Sequence, residues 1–173
     1  MRRNHIIDDL LRPRTVIVLV LIVAATIILH VLVGEAAKKD VDFGAAIISG
    51  AGIIYTVLLT VQSKRASSAA RFMERWNDVD FTERRGPAGQ VIRGEKKISE
   101  VDTRHIATVL NFFEEMSICI QVGETQEVML RKFFRSPVIQ SAAVFKPWIE
   151  ERQTTQPTAF LGYLKLVERW KDD

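Results

Sequence analysis

Residues 15–33 read TVIVLVLIVAATIILHVLV, and residues 43–61 read FGAAIISGAGIIYTVLLTV. Each stretch is 19 residues long and contains no Asp, Glu, Lys or Arg. At the helical rise per residue, such a stretch spans the ~30 Å hydrocarbon core of a bilayer. Neither stretch has the opposed apolar and polar faces of a soluble surface helix. We therefore predict a two-helix transmembrane hairpin with a short polar loop.

The rest of the chain has room for one small soluble domain. The chain has 173 residues, of which the hairpin takes about forty. A net charge of +3 is too small to indicate a nucleic-acid binder by itself. The single cysteine, Cys119, excludes an internal disulfide and a cysteine-rich zinc site. A signal peptide is the alternative interpretation of residues 15–33. The apolar core of a typical signal peptide, however, is shorter than this stretch.

The charges that flank the two stretches predict the orientation of the hairpin. Four arginines precede the first stretch, and four basic residues between Lys64 and Arg75 follow the second. The positive-inside rule then places both termini in the cytoplasm, although Lys38 and Lys39 in the external loop weaken the bias. The opposite topology would carry the large C-terminal domain across the membrane.

The predicted organisation has six parts. They are a cytoplasmic segment (1–14), transmembrane helix 1 (15–33), an external loop (34–42), transmembrane helix 2 (43–61), a basic juxtamembrane helix and loop (62–97) and a cytosolic helical domain (98–173). The first segment is interpreted either as an amphipathic turn at the membrane surface or as a frayed basic tail.

A stripe of small and hydroxyl residues follows one face of the second stretch. Its members are Ala45, Ser49, Gly52, Thr56 and Thr60. Small residues let membrane helices approach closely, and hydroxyls hydrogen-bond across the contact. We predict that this small-residue stripe packs against another membrane helix. His30 in the first stretch is predicted to hydrogen-bond a neighbouring helix, and the alternative is a functional ionisable group.

The remaining sequence predicts helices and no strand. The second stretch is expected to continue as a helix through about Trp76 and to give way to a loop from Phe81 to Glu95, which contains Gly86-Pro87-Ala88-Gly89. Ser99 and Asp102 resemble a capping box for the next helix, and Gly123 is expected to end it.

Three further helices complete the predicted all-α domain. Thr125 is expected to cap the first of them, and Ser136-Pro137 is expected to begin the second, which Pro147 kinks or breaks. The first is expected to face inward with Val128, Met129, Phe133 and Phe134. The last helix follows a loop at Thr154–Pro157 and carries Phe160, Tyr163, Leu164, Val167 and Trp170 on its inner side.

No pattern in the sequence indicates catalysis. The three histidines are scattered without metal-ligand spacing, and a carboxylate site in a bundle would need a second set of acids beside Glu114 and Glu115. We interpret these acids as structural and Cys119 as a small buried residue. The chain is therefore predicted not to be an enzyme and to hold no cofactor or metal.

Basic residues follow the hairpin directly and are candidates for lipid or partner binding. They are Lys64, Arg65, Arg71, Arg75, Arg84, Arg85, Lys96 and Lys97. Anionic headgroups lie within reach of the first of these residues. The later pairs are better candidates for a cytosolic protein or for nucleic acid, which uses the same basic and aromatic side chains.

Two short motifs resemble a family of small bacterial and phage membrane proteins of unknown function. They are Asn111-Phe112-Phe113-Glu114-Glu115 and Phe145-Lys146-Pro147-Trp148-Ile149. The resemblance covers residues 72–170 and implies membrane helices ahead of a helical domain. It transfers no catalytic residues, because the family has no established activity.

The predicted architecture also resembles the two-transmembrane effectors of anti-phage systems of the retron or cyclic-oligonucleotide type. This resemblance implies an inner-membrane toxin that forms homo-oligomers and disrupts the bilayer when a cytosolic partner releases it. The partner would be a protein or a ribonucleoprotein, such as a reverse transcriptase–nucleic acid complex. The alternative is a membrane-anchored adaptor that tethers a partner without permeabilising the membrane.

Overall fold

The computed structural model describes residues 38–171, with side chains from residue 50 onward. The predicted N-terminal segment, the first membrane helix with His30 and part of the external loop lie outside these residues, as do the side chains of Ala45 and Ser49. Within the described range the chain forms α-helices and one short 3-10 turn, without strands. The all-α prediction is confirmed for this range.

Five α-helices make up the described part of the chain. Helix α1 spans Lys38–Asn77, α2 spans Val79–Ile92, α3 spans Thr103–Gln121, α4 spans Glu127–Thr155 and α5 spans Leu161–Lys171. The 3-10 turn, Ile98–Glu100, precedes α3. The contacts divide the chain into two units, residues 1–58 and residues 59–173, and the division falls within α1. All the packing described below lies in the second unit.

Helix α1 continues from the second apolar stretch to Asn77 without interruption. This confirms the helix predicted through about Trp76. The Asp78 N–H donates to the Arg75 carbonyl, and the chain leaves α1 at that point. Across residues 38–171, no helix combines the length and the hydrophobicity that a membrane crossing requires. The hairpin therefore stays a prediction.

The loop predicted from Phe81 to Glu95 is wrong, because most of it forms helix α2. Asp78 caps this helix, and its Oδ1 accepts the Phe81 N–H at 3.1 Å. Phe81, Ala88 and Val91 are buried on one face. Pro87 lies inside the helix and lacks one backbone donor, but burial of this apolar face outweighs the loss.

Helix α3 begins after Asp102 and not after Ser99. The Asp102 Oδ1 accepts the Arg104 N–H at 2.9 Å, and Ser99 lies in the preceding 3-10 turn. Hydrogen bonds from the Arg104 side chain and backbone lower the pKa of Asp102 to about 2. The predicted capping box therefore has the wrong N-cap, although its acid does cap the helix.

Two helices end in the same glycine-dependent turn. Gly123 has a φ of 76°, its N–H donates to the Ile120 carbonyl, and the Glu124 N–H donates to the Cys119 carbonyl. Gly94, with a φ of 75°, ends α2 in the same way. These hydrogen bonds define a Schellman motif, in which glycine adopts the left-handed conformation without strain. The role predicted for Gly123 is confirmed.

One helix, α4, replaces the two that were predicted to begin near Thr125 and at Ser136-Pro137. Its N-cap is Gln126, and Thr125 is buried ahead of it. An apolar face runs unbroken through Leu130, Phe134, Val138, Ala142, Phe145 and Ile149. Its burial outweighs the backbone hydrogen bonds that Pro137 and Pro147 cannot donate. Val128 and Phe133 are 60% and 43% exposed, so their predicted inward positions are wrong.

Seven rings from all five helices form an aromatic cluster in the core. Its members are Phe72, Trp76, Phe81, Phe112, Phe113, Phe134 and Tyr163. The Tyr163 hydroxyl is buried and lies 2.7 Å from Ser141 Oγ and 2.8 Å from the Val138 carbonyl. Burial raises the pKa of Tyr163, so this hydroxyl stays protonated.

Helix α5 is fixed by hydrogen bonds at both ends. The Glu114 carboxylate accepts the backbone N–H groups of Gly162 and Tyr163 at 3.2 and 2.6 Å, which caps the helix. At the other end, Trp170 Nε1 donates to Glu127 at 2.9 Å, and Arg135 donates to the Trp170 carbonyl. The helix begins at Leu161, so Phe160 belongs to the turn before it.

Replacing Gly162 with alanine should destabilise the protein. The added Cβ would lie 2.6 Å from the buried Ser117 Oγ and 3.0 Å from Glu114 Oε1. We expect a loss of about 1–3 kcal/mol in the free energy of unfolding. Gly86→Ala in α2 is the matched control, because its Cβ would meet nothing within 4 Å. Urea unfolding of the full chain in detergent measures both variants, and an unchanged midpoint for Gly162→Ala would contradict the close α3–α5 contact.

Candidate functional site

The described part of the small-residue stripe lies on α1. Among the described residues, a Cβ added at Gly52 would meet no atom within 4 Å. The Thr56 hydroxyl donates to the Gly52 carbonyl at 2.8 Å, one helical turn earlier. The stripe thus has room for a neighbouring helix at Gly52, and its packing role stays a prediction.

Large apolar side chains on the same part of α1 are exposed. Ile53, Ile54 and Val57 are 65%, 64% and 54% exposed. Single exposed apolar residues are ordinary on a soluble surface, but a contiguous group indicates an interaction surface.

Directly after the apolar stretch, α1 forms one wall of a basic groove. The groove has a volume of about 710 Å³, and its lining includes Lys64, Arg65 and Arg71. Ser63 precedes these cations, Ser67 and Ser68 lie between Arg65 and Arg71, and Gly123 and Glu124 form the facing wall. Three cations interleaved with three hydroxyls are the donor set that phosphate oxygens prefer. The groove therefore suits a phosphate-bearing ligand.

The basic groove forms because the α3–α4 turn lies against α1. The Gln126 N–H donates to the Arg65 carbonyl at 3.3 Å. The Arg65 guanidinium extends over Gly123, where an added Cβ would lie 3.4 Å from Nη2. A side chain at this turn is also disfavoured by the φ of Gly123. Glycine therefore ends α3 and also leaves room for the arginine.

The cations of the groove are available to a ligand. Lys64, Arg65 and Arg71 are exposed and form no ion pair with any residue of the range 38–171. Glu124 is the one carboxylate among the lining residues. The local charge is therefore positive, which favours an anion.

Arg75, predicted with this group, has a structural position. Its guanidinium donates to both Glu115 carboxylate oxygens, at 2.9 and 2.7 Å. It also lies 5.6 and 5.2 Å from the ring centres of Phe81 and Phe112, within cation–π range. These contacts hold α1 to α3.

The later basic pairs, Arg84-Arg85 and Lys96-Lys97, also include both structural and exposed side chains. Arg85 lies 4.3 Å from the Trp76 ring centre and donates to the Trp76 carbonyl, while burial and nearby Arg93 lower its pKa. Arg84 is exposed, and its carbonyl lies 2.6 Å from His105 Nδ1. Lys96 and Lys97 are exposed in the connection after α2. The structure does not place either pair among the residues that line the basic groove.

The acids and the histidine that were considered for catalysis have structural partners. Glu114 caps α5, Glu115 pairs with Arg75, and His105 links α3 to the middle of α2. No group of three or more potential metal ligands occurs within the part of the chain that the structure describes. Cys119 is partly buried, and desolvation together with Glu124 and Glu115 raises its thiol pKa.

The sequence interpretation missed the serines of the groove and its facing wall. The serines could have been recognised from the sequence. Ser63 and Ser67 are four residues apart, and so are Lys64 and Ser68, so each pair lies on one face of the helix beside Arg65. The Gly123–Glu124 turn could not have been recognised, because its position beside α1 depends on tertiary packing.

Comparison with models of known protein families gives a match over most of the chain. A family model described as a domain of unknown function, DUF4760, matches residues 45–170. This range includes the basic groove and both motifs that carry the resemblance. No curated protein and no solved structure matches the chain.

Neutralising the groove should weaken its affinity for anionic lipid. Each basic residue near a lipid surface contributes about 1 kcal/mol, so Arg65→Gln and Arg71→Gln should each lower affinity about fivefold. Anisotropy of a fluorescent phosphatidylglycerol, added to the full chain in neutral detergent, measures this. Lys165→Gln, an exposed cation on α5, is the control. Equal affinity in Arg65→Gln and Lys165→Gln would remove the groove from consideration.

Proposed function

The chain belongs to the DUF4760 family, and from its own residues we propose that it is a bacterial inner-membrane effector. In this proposal the two apolar stretches form a hairpin with both termini in the cytoplasm. Hairpins assemble into oligomers that disrupt the membrane, as in the anti-phage effectors that the architecture resembles. Two spanning helices offer too little surface to line a pore alone, so disruption requires several copies.

The observation that carries the proposal is the composition of α1. One helix contains the exposed apolar residues Ile53, Ile54 and Val57 and also Ala69 and Phe72, which are buried in the core. Exposed apolar side chains of this size are unfavourable in water and favourable in lipid. A helix with such a composition suits a membrane segment followed by a soluble anchor.

The basic groove supports the same proposal. Its cations follow the apolar stretch within the first turns, where the positive-inside rule expects them and where anionic headgroups of the inner leaflet would lie. Lipid binding in the groove would stabilise this part of α1 at the membrane surface.

The structural roles of Glu114, Glu115 and His105 favour an effector or a tether over an enzyme, because these were the strongest catalytic candidates. We propose that a cytosolic protein or ribonucleoprotein binds the helical unit and restrains assembly. Its release would change the packing of α1 in the core and allow the small-residue stripe to pack against other copies.

The second candidate function is a membrane-anchored adaptor. Ile118, Val122 and Val128 are 49%, 63% and 60% exposed on the helical unit, and such side chains suit a protein partner. In this case the hairpin acts only as a tether, and an unrelated two-pass hairpin should replace it without loss of function.

Blocking the small-residue stripe should abolish membrane disruption. Gly52→Leu fills the open space on the stripe, so depolarisation of bacteria that express the chain should fall to the level of an empty vector. Ala51→Leu is the matched control, because it adds the same side chain one residue away and off the stripe. A voltage-sensitive dye measures the membrane potential, with membrane insertion of each variant checked by fractionation.

Two outcomes would count against the effector. Equal depolarisation by Gly52→Leu and Ala51→Leu would show that the stripe is not the assembly surface. The unmodified chain would also be expressed alone, together with its genetic neighbours, and after those neighbours have been removed. A membrane potential that stays unchanged under all three conditions would favour the adaptor.

A further inference from the structure

A polar cavity lies within the helical unit, apart from the basic groove. It has a volume of about 440 Å³ and is formed by the first turns of α3, the end of α4 and the turn before α5. This volume falls within the ~300–1,000 Å³ range of small-molecule sites. The function proposed above makes no use of this cavity.

The two motifs that carry the family resemblance meet in this cavity. Asn111 and Glu114 come from the first motif, and Trp148 comes from the second. The two motifs are more than thirty residues apart in the sequence, and the packing of α3 against α4 and α5 brings these side chains to one place.

The lining of the cavity provides two arginine side chains as hydrogen-bond donors. Its one carboxylate, that of Glu114, already accepts hydrogen bonds from the backbone. Arg152 is exposed and has no ion-pair partner between residues 38 and 171, and Arg104 pairs with Asp102 but keeps 87% of its side chain exposed. The Glu114 carboxylate accepts two backbone N–H groups of α5, which partly offset its charge. The cavity therefore favours an anion.

Two aromatic side chains, Trp148 and Phe160, add apolar surface to the lining of the cavity. Trp148 is partly exposed, and its ring centre lies 5.9 Å from that of Phe160. Phe160 has a φ of 60°, a conformation that costs a bulky residue energy and that recurs at ligand sites. A hydrogen bond of 2.8 Å from Gln153 Nε2 to the Ala159 carbonyl holds this turn in place.

We infer that this cavity binds a nucleoside monophosphate. The base would stack on the accessible part of the Trp148 ring, as bases do on aromatic side chains. The phosphate would pair with Arg152, because guanidinium and phosphate form short, charge-assisted hydrogen bonds. The amides of Asn111 and Gln156 would be available to the sugar or the base edge.

Titration calorimetry of the full chain in detergent tests this inference, with AMP and GMP as probes and with adenosine and inorganic phosphate as comparators. AMP or GMP should bind with a Kd below about 1 mM. Arg152→Gln should weaken binding about tenfold or more, since it removes a hydrogen bond between two charged groups. Lys146→Gln, an exposed cation on the same helix and outside the cavity, should leave the affinity unchanged.

A second pair of variants tests the stacking. Trp148→Phe should keep most of the affinity and Trp148→Leu should lose it, with folding of both checked by circular dichroism. The inference is overturned if neither nucleotide binds, if inorganic phosphate binds as tightly as AMP, or if Arg152→Gln binds like Lys146→Gln. Because these measurements are independent of membrane potential, their failure would leave the effector proposal standing.

Discussion

The helical unit depends on the contact of Phe112 with rings from three other helices. Its ring centre lies 5.7 Å from Phe72 on α1, 5.0 Å from Phe81 on α2 and 5.6 Å from Phe134 on α4. Each aromatic pair adds about 0.5–1.5 kcal/mol beyond area burial, and a fully buried phenylalanine adds its transfer energy. Trp76 on α1 likewise contacts rings on α2, α3 and α4, so Phe112 and Trp76 together hold α1 and α2 against α3.

This contact also determines where the groove forms. Phe72, Ala69 and Arg65 lie on one side of α1, at spacings of three and four residues, and the first two are buried. With that side turned toward the core, the Arg65 carbonyl meets the Gln126 N–H at the α3–α4 turn. The neighbouring cations then border the same turn. The basic groove at Arg65 is thus a consequence of the core packing of Phe72, which lies two helical turns further along α1.

The sequence was sufficient for features that depend on local periodicity and insufficient for those that depend on distant partners. The buried face of α5, the continuation of α1 and the glycine end of α3 were readable. Proline signals misled, since Pro87 and Pro137 each lose only local hydrogen bonds while a continuous apolar face packs around them. The partner of Glu114 is 48 residues away, and no pattern in the sequence gives such a pairing.

Neighbouring side chains decide which basic residues remain available for function. Arg75 and Arg85 are of the same type as Arg65, but each lies over aromatic rings and donates to the protein itself. Stacking requires rings within about 6 Å, and α1 presents such neighbours only where it meets the aromatic cluster. Before Ala69 the helix meets the Gly123–Glu124 turn, and the Arg65 guanidinium has no hydrogen-bond acceptor among residues 38–171. The division between structural and available cations therefore follows the edge of the aromatic core, and for this reason basic composition alone overestimates the binding surface.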